Sequence, residues 1–389
     1  MKICGIIAEY DPLHNGHAWH LSEARRNTQA DCVICVMSGC FTQRGMPALL
    51  SPHVRAEMAL RAGADIVLQP PVSYSVCDGL RFALGGVSIL QRLGAQCISF
   101  GAEETGIPWI AQAADLLEAP SPAFQQTLHH ALNRGVSFPA AQGQALAETL
   151  QAPSSVFSLP NTVLAICYVR AVRRLKADMT LFPICRRGDY HASDLNTSND
   201  AALPSATAVR QAVLAGKWNE VEQAMPSDAF NLLQGAFQQG CVHLPNALDG
   251  MLRWRLRQTK YPSIPDISEG LENRFAAASE QLSRDAMVHA IKSKRYPYTR
   301  INRMLTHLLL ETDAAKLSQL PQHAYILGFK REFSPLLKLR EDSDLHLMPA
   351  LFPGLESYEM SLDERADALW ALGAHQPFGE IFRKKPVIL

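Results

Sequence analysis

The chain of 389 residues is too long for one small core, and its length favours two or three domains. Lysine plus arginine balances aspartate plus glutamate at 37 each, so any polyanion must be met by a local basic patch and not by the field of the whole protein. Nine cysteines without framework spacing, no leader peptide and no apolar run of about 18 residues exclude a secreted disulfide scaffold and a membrane span, and predict a soluble cytoplasmic protein.

In chain order, strand-like apolar runs occur at "KICGIIAEY" (2–10), "DCVICVMS" (31–38), "ADIVLQPP" (64–71) and "QCISFGAE" (96–103). Helical patterns lie between them in "GHAWHLSEARRNT", "PHVRAEMALRAG" and "DGLRFALGGVSILQRLG". Strand, helix, strand at this spacing predicts a doubly wound parallel sheet with right-handed crossovers. Residues 106–158 read as inserted helices and loops. The sheet pattern then resumes with the helix "PNTVLAICYVRAVRRLK" and the strand "MTLFPICRR", so a first domain is expected over residues 1–220. Beyond 220 helical periodicity dominates, and residues 221–389 are expected to form a mainly helical second domain. The last segment, from "HAYILGFKREFSPLLK" onward, mixes a short strand with helices. Cys32 and Cys35 form a C-x-x-C, but the alternation around them is that of a strand, and no second ligand pair follows at zinc spacing.

The stretch "EYDPLHNGHAWH" (9–20) places turn residues between the first strand and the first helix, with His14 and His17 flanking the helix start. In an open α/β sheet, ligands bind beyond the carboxyl ends of the strands. A helix N-terminus there offers free N–H groups and the positive end of the dipole, which suits phosphate. Gly16 allows close backbone approach, and two imidazoles can donate to phosphate oxygens. A metal site would need carboxylate or further histidine ligands at matched spacing, and H-E-x-x-H is absent, so no protein-bound metal is expected. An ordinary solvated helix face is the plain alternative, and His20, one turn on, reads as packing or support. A second helix start, "PSATAVRQAVLAG" (204–216), carries Ser205, Thr207 and Arg210, which suit either a phosphate contact or an ordinary N-cap.

H-x-G-H after the first strand resembles the nucleotidylyltransferase superfamily. Longer strings narrow the likeness: "GIIAEYDPLHNGHAWHL", "VMSGCFTQRGMPALL", "RAEMALRAGADIVL", "SFGAEE", "PNTVLAICYVRA", "SEGLENRF" and "IKSKRYPYTRINRMLTHLLL" resemble the bacterial tRNA(Met) cytidine acetate ligase family, from residue 3 to about 330. The resemblance implies adenylation of acetate by ATP with Mg²⁺, then transfer of the acetyl group to the wobble cytidine of elongator tRNA(Met). It implies His14 and His17 as the catalytic pair. The ATP site would be the run Ile7, Ala8, Glu9, Tyr10, Asp11, Pro12, Leu13, His14, Asn15, Gly16, His17, Ala18, Trp19 and His20. Gly101, Asn161 and Arg186 would join it, with Arg187 as the alternative to Arg186 because "RRGDYH" is one residue shorter than the family spacing. Ser205, Thr207 and Arg210 would lie near the triphosphate. Three departures stand out: Pro52 where a lysine is expected, Asp11 for asparagine, and Cys40 for asparagine. Gln43, Arg44 and His53 are the residues placed to compensate for the lysine.

An acyl-adenylate route needs no covalent nucleophile, and no nucleophile elbow is present. Mg²⁺ would be held mostly by phosphate oxygens. The RNA would lie on "IKSKRYPYTRINR" (291–303), where Lys292, Lys294, Arg295, Arg300 and Arg303 interleave with Tyr296 and Tyr298 and no acid intervenes. The plain reading is a cationic helix face packed on the sheet domain. Two rivals stay open, a small-molecule adenylyltransferase or carboxylate ligase of the same superfamily, and a catalytically decayed RNA-binding relative.

Overall fold

The computed structural model describes residues 1–104, 106–185, 204–258, 263–267, 270–294, 296–338, 344–350, 357–379 and 383–389. The first half alternates as the sequence predicts: β1 (Ile3–Ala8), α1 (Asn15–Thr28), β2 (Cys32–Met37), α2 (Pro52–Arg61), β3 (Ile66–Gln69), α3 (Gly79–Arg92) and β4 (Cys97–Ala102). The inserted region is helical, with α4 (Ile110–Glu118), α5 (Pro122–Asn133) and α6 (Phe138–Leu150), before α7 (Pro160–Arg174) and β5 (Thr180–Cys185).

Among the described residues the strands form one eight-stranded sheet that begins β5-β4-β1-β2-β3, all parallel. The chain runs outward from β1 through β3, then returns to β4 on the other side of β1. The switch point therefore lies between β1 and β4, where such sheets bind ligands. Both faces are covered, so the strands are apolar throughout. Ile3, Ile34, Val36, Leu68 and Ile98 point to a core shared with α3, α4 and α7. Cys4, Ile6, Val33, Met37 and Val67 point to the opposite core, shared with α1 and α2. Cys32 and Cys35 fall on opposite faces, both buried, and burial pushes each thiol up to about 12. Gly86 lets α3 lie against β1, since a Cβ there would fall 2.5 Å from Ile7 Cδ1.

After α8 (Ala206–Leu214), α9 (Trp218–Ala224) and α10 (Ser227–Gln238) comes a helical body of α11 (Asp249–Gln258), α12 (Glu272–Ala278), α13 (Arg284–Ile291) and α14 (Tyr298–Leu310). Its core gathers Phe275, Met304, Leu305 and Leu308, and meets the strand-end loops through Phe41, Val72 and Val76. The sheet is not purely parallel, as the strand–helix alternation suggested. Beyond the helical body, β6 (His323–Phe329) pairs antiparallel with β3, followed by α15 (Ser334–Lys338), β7 (His346–Met348), α16 (Tyr358–Gly373) and β8 (Val387–Ile388). β7 and β8 both pair with β6. β6 enters after the helical body and not through a helix crossover from β3, which permits the reversed direction. The last segment thus shares a sheet with the first. Among the described residues no helix is long and apolar enough to cross a membrane.

Candidate active site

β1 ends at Ala8 and the chain turns through Tyr10, a buried residue at φ 47, and a cis Asp11–Pro12 bond before α1 begins. Arg55 of α2 fixes this turn from beneath. Its fully buried guanidinium donates to Glu9 O at 2.7 Å, Ser38 O at 3.0 Å, Leu50 O at 3.1 Å and Gly39 O, joining the ends of β1 and β2. Carbonyls at strand ends would otherwise lack donors, and a cation satisfies them strongly.

His14 is the N-cap of α1, and it caps reciprocally with His17. Gly16 N–H donates to His14 Nδ1 at 3.1 Å, and His14 N–H donates to His17 Nδ1 at 3.3 Å. The rings stack at 3.7 Å, and Tyr10 packs edge-on to His17 at 5.0 Å. A ring nitrogen that accepts an N–H carries no proton, so each neutral imidazole holds its proton on Nε2. The cap therefore sets both rings as hydrogen-bond donors. His20 reaches sideways, its Nε2 3.1 Å from Ser99 Oγ.

These residues line a cleft of about 570 Å³ at the carboxyl ends of β1 and β4. One half is apolar, with Phe82, Phe100, Leu164 and Tyr168, the last two aromatic rings 5.5 Å apart. Gly101 belongs to this wall, and a Cβ there would meet nothing, so the space above it is open. Asn161 opens α7 beside it. Its backbone N–H and side-chain amide donate to Glu103 Oε1 at 3.1 and 2.9 Å, while Thr162 supplies two donors to Oε2 at 2.7 Å each. Burial disfavours the charged form of Glu103, but these hydrogen bonds outweigh it and hold the carboxyl below its usual range. One amide hydrogen of Asn161 is thus committed to Glu103, which leaves its carbonyl oxygen and its second N–H for a ligand.

The other half is ionic. Ser205 caps α8 at Ala208 N, and Arg210 one turn on reaches back to the β1–α1 turn, donating to Asp11 O at 2.5 Å and facing Asp11 Oδ2 at 3.4 Å. Thr207 Oγ1 accepts from the same guanidinium at 3.2 Å. Two helix N-termini, α1 and α8, therefore face one space. Asp11 is further held by Leu49 N–H at 2.7 Å. Gln43 N–H donates to Glu9 Oε1 at 2.5 Å, and Arg44 lies beside them in the cleft wall.

Most of the residues expected from sequence converge here: within 7–20, Ile7 to Asp11, His14, Gly16, His17, Trp19 and His20, together with Gly101, Asn161, Ser205, Thr207 and Arg210. Pro12, Leu13, Asn15 and Ala18 shape the turn and helix without lining the cleft; Asn15 donates instead to Gln223 O at 2.8 Å. Arg186 and Arg187 lie outside the described residues; Ile184, near the end of β5, lines the cleft. Pro52 is the first residue of α2, buried behind its Ser51 cap and away from the cleft wall. Of its expected stand-ins, Gln43 and Arg44 line the cleft. His53 does not; it lies buried beside Tyr325, and burial pushes its imidazole down to about 4. Sequence reading missed Glu103, Arg55 and His243, the last a buried ring that burial pushes down to about 4.

The cationic segment divides. Lys292 and Lys294 are exposed, with Lys292 Nζ 4.0 Å from the centre of the exposed Tyr298 ring. Arg300 lies over Tyr296 at 5.0 Å and is 3.8 Å from Asp266, an acid supplied from outside the segment. Arg303 is buried and 3.9 Å from the same carboxylate, so it does not present a charge to solvent as expected. It lies on the core-facing side of α14, between Ile301 and Met304. Arg295 lies outside the described residues.

The chain matches the HIGH Nucleotidyl Transferase family over residues 1–380. It is 35% identical over 347 residues to the tRNA(Met) cytidine acetate ligase of Kosmotoga olearia, covering 85% of this chain and 80% of that one. With the tRNA(Met) cytidine acetate ligase of Lactiplantibacillus plantarum it shares 34% identity over 376 residues, 96% of this chain and 95% of that one. The crystal structure of Thermotoga maritima TmcAL bound with alpha-thio ATP superposes with a TM-score of 0.87 at 27% identity, each chain covered in full.

Proposed function

Because this chain belongs to the tRNA(Met) cytidine acetate ligase family, whose members are ATP-using ligases, we propose that it activates acetate as acetyl-adenylate and acetylates the exocyclic amine of the wobble cytidine in elongator tRNA(Met). The observation that carries the reading is the reciprocal His14–His17 cap at the sheet's switch point. It gives two fixed Nε2–H donors beside the N-termini of α1 and α8. Such donors suit charge that grows on phosphate during displacement, because they need no reorganisation at the moment of reaction.

On this reading adenosine lies against Phe100, Tyr168 and Gly101, and the phosphates lie toward α1 and α8. An acetate oxygen attacks the α-phosphorus in line and pyrophosphate departs, with His14, His17 and Arg210 stabilising the charge. The cleft carboxylates already hold N–H or guanidinium partners, so Mg²⁺ would be held by phosphate oxygens and would offset their charge. Residues 1–220 are assigned to this chemistry. Residues 221–389 are assigned mainly to holding the RNA, with Lys292, Lys294 and Tyr298 as its exposed contacts.

The test is incubation with ATP, labelled acetate and total bacterial tRNA. Label should appear as N4-acetylcytidine in elongator tRNA(Met). ATP–pyrophosphate exchange with acetate but no label in any RNA would instead favour a small-molecule ligase.

A further inference from the structure

Acetyl transfer requires something that adenylation does not. The acceptor is a neutral amine, and it must lose a proton as its nitrogen takes the acetyl group. The donors that serve adenylation cannot take that proton. His14 and His17 already accept backbone N–H groups at Nδ1 and hold protons on Nε2. Asp11 is occupied at both oxygens, by Leu49 N–H and by Arg210. His20 is engaged with Ser99, and the His243 ring is packed against Gly373, where a Cβ would fall 2.0 Å from its Nε2.

Glu9 remains. It follows β1 at the switch point, lines the cleft, and its main chain is pinned where Arg55 takes its carbonyl at 2.7 Å. One carboxylate oxygen is anchored by Gln43 N–H at 2.5 Å, which orients the group without replacing its charge. Burial raises its proton affinity above that of an ordinary carboxylate, while Arg44 and Arg210 oppose this and Asp11 adds to it. Tyr168 faces it from α7 and stays protonated. A carboxylate in a cleft built for triphosphate repels that ligand, so its presence asks for a different task.

We propose that Glu9 is the general base of acetyl transfer, accepting the N4 proton of the acceptor cytidine. The amine nitrogen attacks the acetyl carbon and forms the new C–N bond. The C–O bond to the adenylate phosphate breaks, and AMP leaves with that electron pair. The amine proton passes to the Glu9 carboxylate and from there to water. This inference rests on the acetate-ligase reading above.

The two half-reactions separate the outcomes. ATP–pyrophosphate exchange with acetate reports adenylation, and single-turnover acetylation of tRNA from preformed enzyme-bound acetyl-adenylate reports transfer. Glu9→Gln should slow transfer at least about a hundredfold more than exchange, the scale of losing a general base. Wild-type transfer should fall as pH drops through the Glu9 titration, since a protonated carboxyl accepts nothing, and the variant should lack that acidic limb. Equal losses in both half-reactions, or an unaltered transfer rate, would overturn the proposal. If Glu9→Gln does not fold, Glu9→Asp carries the same test. Its carboxylate is withdrawn by one methylene, and transfer should suffer about tenfold more than exchange; equal loss would sink the idea. A wild-type protein that exchanges pyrophosphate but labels no tRNA would overturn the ligase reading, and the base with it.

Discussion

The cleft and the 291–303 segment both collect charged side chains, but they hold them in opposite ways. In the cleft nearly every ionic group is tied to backbone. His14 and His17 cap each other's turn, Asp11 takes Leu49 N–H, Glu9 takes Gln43 N–H, and Arg210 donates to Asp11 O. In the segment Lys292 and Lys294 stand in solvent, and the more rigid arginines are drawn toward Asp266. The difference matches the task proposed for each surface. Displacement at phosphorus rewards donors fixed before the reaction begins, whereas attraction of a long polyanion needs only charge at the right surface.

Four variants, the last a double substitution, probe that contrast, from the largest expected effect to the smallest. Arg55→Leu removes the deepest tie and leaves several strand-end carbonyls without a donor. It should destabilise the fold by roughly 3–5 kcal/mol, read from the urea midpoint. A midpoint shift near zero would mean the cleft does not depend on that guanidinium. His17→Ala keeps the fold and deletes one donor, so ATP–pyrophosphate exchange should fall on the order of a hundredfold while the melting temperature hardly moves. Collapse of the melting temperature with the rate intact would make the pair structural.

Arg210→Ala should cost about tenfold in kcat/KM for ATP, the scale of one charge-assisted contact, because the α8 N-terminus remains. An unchanged value would show that the arginine serves Asp11 alone. Lys292→Ala with Lys294→Ala should weaken tRNA binding several-fold and make its log–log salt slope shallower by about 1 to 2, with pyrophosphate exchange unmoved. If salt slope and affinity both hold, the segment is no RNA surface and the contrast drawn here fails.

How much of this was readable from the residues varies with the range of the interaction. The strand–turn–helix around His14 and Gly16 is local, and its apolar alternation and turn chemistry are written in consecutive residues. Ser205 announced a helix start for the same reason, and that helix does face the β1–α1 turn. Arg55 looked like any helix arginine, because three of its four carbonyl partners, Glu9, Ser38 and Gly39, lie 46, 17 and 16 residues away. Glu103 was visible in "SFGAEE", but its partners on α7 lie 58 and 59 residues away. Arg303 was misjudged because a count of charges ignores which side of α14 each residue occupies. Its neighbours Ile301 and Met304, both buried, carried that signal. The antiparallel seat of β6 beside β3 left no local trace at all, since pairing direction is set by where the chain returns.

That late return of β6 governs how the protein comes into being. β3 gains its second neighbour only when residues 323–329 are in place. At ordinary elongation rates a ribosome needs on the order of tens of seconds to add the intervening chain. Throughout that interval the emerging sheet carries an open, apolar edge at "IVLQ", able to pair with another nascent chain. A fragment ending near residue 220 would retain nearly all the groups of the cleft and yet keep that edge unsealed for its whole lifetime. The chemistry is encoded early, but the safety of the sheet that carries it arrives with the last seventy residues or so.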